Sequence, residues 1–259
     1  MKKILTNITL ILSIISLCTV TVFSQGSYSW YCVRNKEHLQ PRLDSQLSFI
    51  EEYNGYYVDK KHTETNAEKV IYLTFDAGYE NGNIEKILNA LKEENVSAAF
   101  FVLENLILKN PDLILRMVNE GHTVCNHTAK HPDVTKYTNI EDFKAELERL
   151  EKLYNDLTGE EMKKYFRAPE GKFSEQSMKF ASDLGYKTIF WSFAYADWDN
   201  NAQMSVEAAK EKIFANTHNG EIMLLHPTSS TNAQIMRDVI RQLKSEGYRF
   251  GTLDELTSR

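Results

Sequence analysis

Proline and glycine are scarce, 5 and 11 of 259 residues, too few for a long flexible linker or a fibrous, low-complexity chain. Cysteine is scarcer still, at 3 residues, which excludes a disulfide-built scaffold. A basic surplus is also missing. Lysine and arginine number 30 against 36 aspartates and glutamates, a formal charge of −6. That balance disfavours a broad basic surface and leaves room only for a local basic patch, so no nucleic-acid partner is expected. What remains is an ordinary globular composition, 42% apolar and 25% charged, in a length that suits one large domain or two small ones.

Lys2 and Lys3 precede a run from Ile4 to Phe23 that is diluted by small polar residues and Asn7, and Val22-Phe23-Ser24 closes it. A charged start, an apolar middle and small residues at the −3 and −1 positions read as a secretory signal peptide over residues 1–24. The alternative is an uncleaved anchor, because the run has the length of a membrane helix. In that case alone would the chain meet a membrane. Cys18 follows the bulky Leu17, unlike a lipid-attachment site. Export leaves Cys32 and Cys125 in an oxidising compartment. They either pair or, since Cys125 ends the apolar Thr123-Val124-Cys125 segment, Cys125 is a buried free thiol.

Residues 25–69 mix aromatics and charges without a period and read as an N-terminal extension wrapping a core, with a short helix around Asp44 to Tyr53. Residues 70–259 alternate. Val70–Phe75 is a continuous apolar run of β-formers, the mark of a strand buried on both faces. Asn83 is placed to cap a helix carrying Ile84, Ile87, Leu88 and Leu91. Further strands are expected at 98–102, 123–125, 187–192 and 221–225. Helices are expected from Pro111 to Val118, from Ile140 to before Gly159, and at 175–184, 206–216 and 232–246. Such alternation implies an α/β fold with a parallel sheet. No glycine-rich phosphate loop follows the first strand, which disfavours a dinucleotide fold and a nucleotide cofactor. A barrel is preferred, because ionisable residues follow strand after strand.

Asp76 ends Thr74-Phe75-Asp76-Ala77-Gly78, and His127 and His131 follow the third strand. Arg167 precedes Ala168-Pro169-Glu170-Gly171, Asp197-Trp198 follows Phe190-Trp191-Ser192, and His226 follows Met223-Leu224-Leu225. Apolar strands that each deliver an ionisable group need a reason, since an unpaired buried charge is costly. One convergent polar site supplies it. Two imidazoles four apart are able to share one ion, and zinc suits imidazole. Arg167 is the natural partner that keeps Asp76 ionised, as a general base requires. Asp197 favours the protonated form of His226, as a general acid requires. Trp198, Leu224 and Trp191 are candidates for an apolar wall.

From Val70 to Leu256 these pieces, in this order, resemble the motifs of the polysaccharide deacetylase family, carbohydrate esterase family 4, with its nodulation-protein relatives. The resemblance implies a deformed (β/α)7 barrel and metal-dependent hydrolysis of N-acetyl groups on amino sugars. By position it implies Asp76 as base, His226 as acid, His127 and His131 as metal ligands, Arg167 as the partner orienting Asp76 and Asp197 as the residue tuning His226. It also implies the backbone N–H of Glu170 at the oxyanion, with Leu224 and Trp198 around the acetyl methyl. Similarity to the branch acting on N-acetylmuramic acid, on the way to muramic δ-lactam in the spore cortex, extends through Trp30, Asn35, His38, Gln40-Pro41 and Tyr53. It includes Phe75–Gly82, which adds Tyr79 to the substrate-binding residues, together with His131-Pro132-Asp133 and Trp191–Ala194.

Two positions depart from the family pattern. Ala77 stands where a second aspartate is the third metal ligand, and a methyl group binds no cation, so a weakened metal site is expected. Glu170 stands where a neutral aromatic or basic residue is usual. The expected protein is an exported deacetylase acting on peptidoglycan glycan strands at the wall or spore cortex. A deacetylase of N-acetylglucosamine or chitooligosaccharides, and a catalytically silent glycan-binding module, are the competing readings.

Overall fold

The computed structural model describes residues 26–31, 33 and 37–258. The expected signal segment 1–24, Cys18, Cys32 and Asn35 lie outside the described residues. Strands run in chain order as β1 (Ser27–Ser29), β2 (Gly55–Tyr56), β3 (Lys69–Ala77), β4 (Ala99–Val102) and β5 (Thr123–Asn126). They continue as β6 (Tyr165–Phe166), β7 (Lys172–Ser174), β8 (Lys187–Ile189), β9 (Glu221–Leu225) and β10 (Tyr248–Phe250). The main sheet is parallel, in the order β10-β3-β4-β5-β6-β8-β2, with β9 also on β3.

Strand β3 has three partners on two edges, and register shows how. Ile71 pairs with both Phe250 and Glu221, and Thr74 with both Ala99 and Leu224. So β9 takes one edge while β10 and β4 share the other. The ring closes through the irregular chain after β8, where Phe193 bridges Met223 and its carbonyl accepts from the Leu224 N–H at 2.9 Å. This is the deformed (β/α)7 barrel of the expectation. The expected strand 187–192 stops at Ile189 because the chain there leaves the ladder to make this bridge.

Side chains alternate across each strand. Ile71, Leu73 and Phe75 pack with Ile87, Leu88, Leu91, Ile235 and Val239 of the helices outside. Val70 and Tyr72 pack inward with Phe101, Cys125, Ile189 and Ile222. The same parity continues to the strand ends, so Thr74, Asp76, Leu224 and His226 belong to the inner face. Cys125 is buried and, among the described residues, forms no disulfide, and burial pushes its thiol pKa well above the usual range.

Helix ends follow local chemistry, with one correction. Asn139 caps Ile140–Thr158 and Gly159 closes it at φ 74°, a conformation glycine adopts without a Cβ penalty. Asn83 does not cap Ile84–Glu93. Its side chain turns to donate to the Thr228 carbonyl, and Glu80 instead accepts from the Ile84 N–H at 3.0 Å. A carboxylate at a helix start satisfies an orphan donor and meets the positive end of the dipole. The expected helix at 44–53 is split into a 3-10 turn, Ser45–Leu47, and a single α turn, Phe49–Glu52.

From the expected extension, β2 joins the main sheet and β1 pairs antiparallel with β7. Trp30, Leu47, Ile50, Tyr57 and Val58 bury against Phe173, Met178 and Phe190. Among the described residues no helix is long and apolar enough to cross a membrane.

Candidate active site

Above the C-terminal strand ends lies a cavity of about 660 Å³ lined by Asp76, His127, His131, Glu170, Trp198, Leu224 and His226, together with Trp30, Gly171, Trp191, Ala194 and Tyr195. Its carboxylate wall is organised by Arg167, which is fully buried. The guanidinium donates to Asp76 Oδ1 at 2.7 Å, to Thr74 Oγ1 at 2.9 Å, and to the carbonyls of Ile189 at 2.8 Å and Phe190 at 3.3 Å. It also lies over the Phe101 ring at 4.1 Å. Thr74 Oγ1 in turn donates a hydrogen bond to the Met223 carbonyl at 2.8 Å. Such a multiply bonded guanidinium cannot rotate away, so Asp76 is fixed in place. Burial opposes ionisation of Asp76, but the charge of the Arg167 guanidinium above all outweighs it and holds the carboxyl below its usual range.

The histidine loop bends sharply. Thr128 and His131 take φ of 72° and 59°, which side chains with a Cβ rarely adopt. The Asn126 side chain accepts from the Thr128 N–H at 2.8 Å, and Thr128 Oγ1 from the His131 N–H at 2.9 Å. The bend brings the rings of His127 and His131 to 5.1 Å, edge to face. His127 Nδ1 donates to the Arg167 carbonyl at 2.9 Å, and Nε2 stands 3.6 Å from Asp76 Oδ2. Burial lowers the pKa of His127 to about 4, so its Nε2 is unprotonated and presents a free lone pair.

For a divalent cation the chemistry of this pair fits: a neutral imidazole with its other nitrogen locked on a carbonyl is the usual state of a metal-ligating histidine. The set is short, however. Among the described residues no three His, Cys, Asp or Glu side chains converge at metal-holding distances. Ala77 is fully buried and packs in the apolar cluster with Ala129 and Leu106. Glu170 does not fill the place, because its carboxylate pairs with Lys172 at 2.6 Å.

The imidazole wall is organised by Asp197, which is 1% exposed. It accepts from the His226 N–H at 2.8 Å, from His226 Nδ1 at 2.7 Å and from Asn232 Nδ2 at 2.6 Å. Tyr195 holds the other end of the Asn232 amide. Burial alone would lower the pKa of His226, but the bond and charge of Asp197, with Asp76 beyond, raise it above the ordinary value. Trp198 lies edge-on to His226 at 5.9 Å.

Of the residues singled out from the sequence, Arg167 and Asp197 sit behind the wall, and the others line the cavity except Tyr79. Tyr79 is 44% exposed and its hydroxyl accepts from Asn200 at 2.5 Å; the chain has left the strand there so that Glu80 reaches the next helix. Trp30, Thr74, Tyr195 and Asn232 had no assigned role. Asn232 was the most legible of them, a lone amide on the apolar stripe of Ile235, Met236, Val239 and Leu243.

A family model for polysaccharide deacetylases matches residues 63–189. The Bacillus subtilis peptidoglycan-N-acetylmuramic acid deacetylase PdaA is 39% identical over 229 residues, 88% of this chain and 85% of that protein. Its solved structure has a TM-score of 0.84 and covers 90% of this chain and 97% of that one at 38% identity. A family 4 carbohydrate esterase from Bacillus anthracis has a TM-score of 0.73 at 34% identity and covers 91% and 98%. A family 4 pseudoenzyme from the same organism has a TM-score of 0.68 at 25% identity, covering 79% and 69%, so the fold is compatible with lost catalysis. Family members generally use a divalent metal. With this similarity running nearly end to end, the chain belongs to the polysaccharide deacetylase family, the family 4 carbohydrate esterases, which hydrolyse amide bonds.

Proposed function

We propose that this chain is an exported peptidoglycan N-acetylmuramic acid deacetylase, acting outside the cytoplasm at the wall or spore cortex, on the way to muramic δ-lactam. The observation that carries the reading is one cavity with an arginine-held carboxylate and an aspartate-held imidazole, each pushed toward the protonation state its role requires. Similarity to PdaA over 88% of the chain supports the substrate class, and the charged, apolar start of the sequence supports export.

Asp76, kept ionised, takes a proton from the water that adds to the acetamide carbonyl carbon. The backbone N–H of Glu170 donates to the developing oxyanion, an interaction worth about 3 kcal/mol in other acyl-transfer sites. The C–N bond then breaks, His226 gives its Nε2 proton to the departing amine, and acetate leaves. Exchange with solvent returns each group to its starting state. Leu224 and Trp198 wall the methyl group, Arg167 fixes the direction of Asp76, and Asp197 keeps His226 charged. A divalent cation held by His127 and His131, zinc by the softness of imidazole, would polarise the carbonyl and acidify water when bound.

The mature protein is expected to release acetate from peptide-free glycan strands with a divalent ion present, and His226→Ala to lower kcat by roughly 10²–10⁴ with bound glycan retained. Faster release from N-acetylglucosamine oligomers would move the substrate to the other sugar. Ala77 favours a second reading, a silent glycan-binding protein. Glycan binding without acetate, unchanged in His226→Ala, would establish it and end the first.

A further inference from the structure

The turn that carries the Glu170 N–H is not held by its own contacts alone. Glu170 and Gly171 take φ of 55° and 64° in succession. Glycine adopts this region freely, but a glutamate with a Cβ does so at a cost, and such conformations persist only where surrounding structure over-determines them. Within the turn, the Gly171 N–H donates to the Ala168 carbonyl at 3.0 Å. The Lys172 N–H donates to the Pro169 carbonyl and the Glu170 carboxylate pairs with Lys172, and further restraints come from far away in sequence. β1 pairs Ser29 with Lys172, Tyr28 with Phe173 and Ser27 with Ser174. The Trp30 N–H donates to the Gly171 carbonyl at 2.8 Å.

Trp30 is itself doubly fixed. Its indole N–H donates to the Trp191 carbonyl at 2.9 Å, and its ring stacks on Phe190 at 4.5 Å. The fit around the turn leaves no slack: a Cβ on Gly171 would stand 2.7 Å from Trp191 Cη2 and 3.2 Å from Trp30 Cβ. Trp30 also belongs to the cavity wall, so this short N-terminal strand reaches the chemistry from outside the family match at 63–189.

We infer that Ser27–Trp30 is a latch, with Trp30 as a positioning residue that holds the strained Glu170 turn so that its N–H meets the oxyanion. The inference rests on the deacetylase reading above. A wall residue changes how glycan binds, whereas a latch acts on the transition state, so the two are separable. Trp30→Ala is expected to lower kcat on the order of 10- to 100-fold with a smaller change in KM, the size that misplacing a catalytic donor produces. Trp30→Phe, which keeps an aromatic ring for the stack on Phe190 but loses the indole N–H and the second ring, should retain more of the rate than the alanine variant and remains available if that variant fails to fold. Placing Glu170→Gly in the Trp30→Ala background should recover part of the lost kcat, because glycine enters the turn conformation without the Cβ penalty. Amide hydrogen exchange over residues 168–174 should accelerate in Trp30→Ala while the β3 and β9 segments stay protected.

An unchanged kcat in Trp30→Ala, a rise in KM alone, or unchanged exchange at 168–174 overturns the latch and leaves the deacetylase reading standing. Absence of acetate release by the wild-type protein overturns that reading, and the latch with it.

Discussion

The two walls of the cavity use the same Coulomb interaction with opposite sign, on different kinds of backbone. The carboxylate wall rises from regular strand: Asp76 lies within β3 and Arg167 follows β6, with the guanidinium anchored on strand and post-strand carbonyls. The imidazole wall is built where the sheet is least regular, from the chain after β8 and the first turn of the helix Ser230–Ser245. A cation beside a buried carboxylate keeps it ionised, and a carboxylate beside a buried imidazole keeps it protonated. In the proposed mechanism, groups pushed apart in this way are already sorted into base and acid. The carboxylate wall depends on a buried charge that must be neutralised, whereas the imidazole wall depends on a neutral amide, Asn232, that keeps Asp197 aimed.

Breaking the carboxylate wall should therefore cost most. Arg167→Met removes a fully buried cation and strands Asp76 unpaired, which typically destabilises by about 3–5 kcal/mol. Urea unfolding at neutral pH would measure it, and a loss under 1 kcal/mol would show that Asp76 finds water or another partner.

The imidazole wall should respond in pH before it responds in stability. In Asp197→Asn the charge that raises His226 is gone, so the basic limb of kcat/KM should move to lower pH. The sign follows from linkage: a histidine whose folded pKa is raised adds stability that is complete below the ordinary histidine value near 6.5 and is lost as pH rises through the folded value. The stability gap between wild type and Asp197→Asn should accordingly narrow with rising pH. A basic limb that stays in place would assign it to some group other than His226.

Thr74→Val sharpens the comparison with the smallest change. It deletes the hydroxyl between Arg167 and the Met223 carbonyl without touching charge, and should cost about 1 kcal/mol in thermal or urea unfolding. A cost as large as that of Arg167→Met would mean that the hydroxyl, not the charge pair, holds the wall.

Much of this arrangement was legible in the residues, because strand parity is local. Tyr72, Thr74 and Asp76, and likewise Ile222, Leu224 and His226, pass from apolar to reactive at every second position, as one face of a strand must when it runs from a packed interior to an open end. The motif order then named the remaining groups. Asn83 misled because its identity satisfies the capping rule while Thr228, far away in sequence, offered its amide another partner. Tyr79 stands apart from the cavity lining because membership in a contiguous motif does not fix which way a residue faces once the strand has ended.

By itself, then, the sequence determined the alternating α/β order and the inward faces of the strands, since each depends on neighbours a few positions apart, while the family resemblance supplied the candidate acid, base and imidazole ligands. Only the tertiary structure decided that the barrel closes at Phe193 and Met223, that Asn232 bonds to Asp197, and that the Trp30 N–H bonds to the Gly171 carbonyl. Those contacts join segments distant along the chain, and their geometry is set by how whole layers pack, which no local pattern of residues encodes.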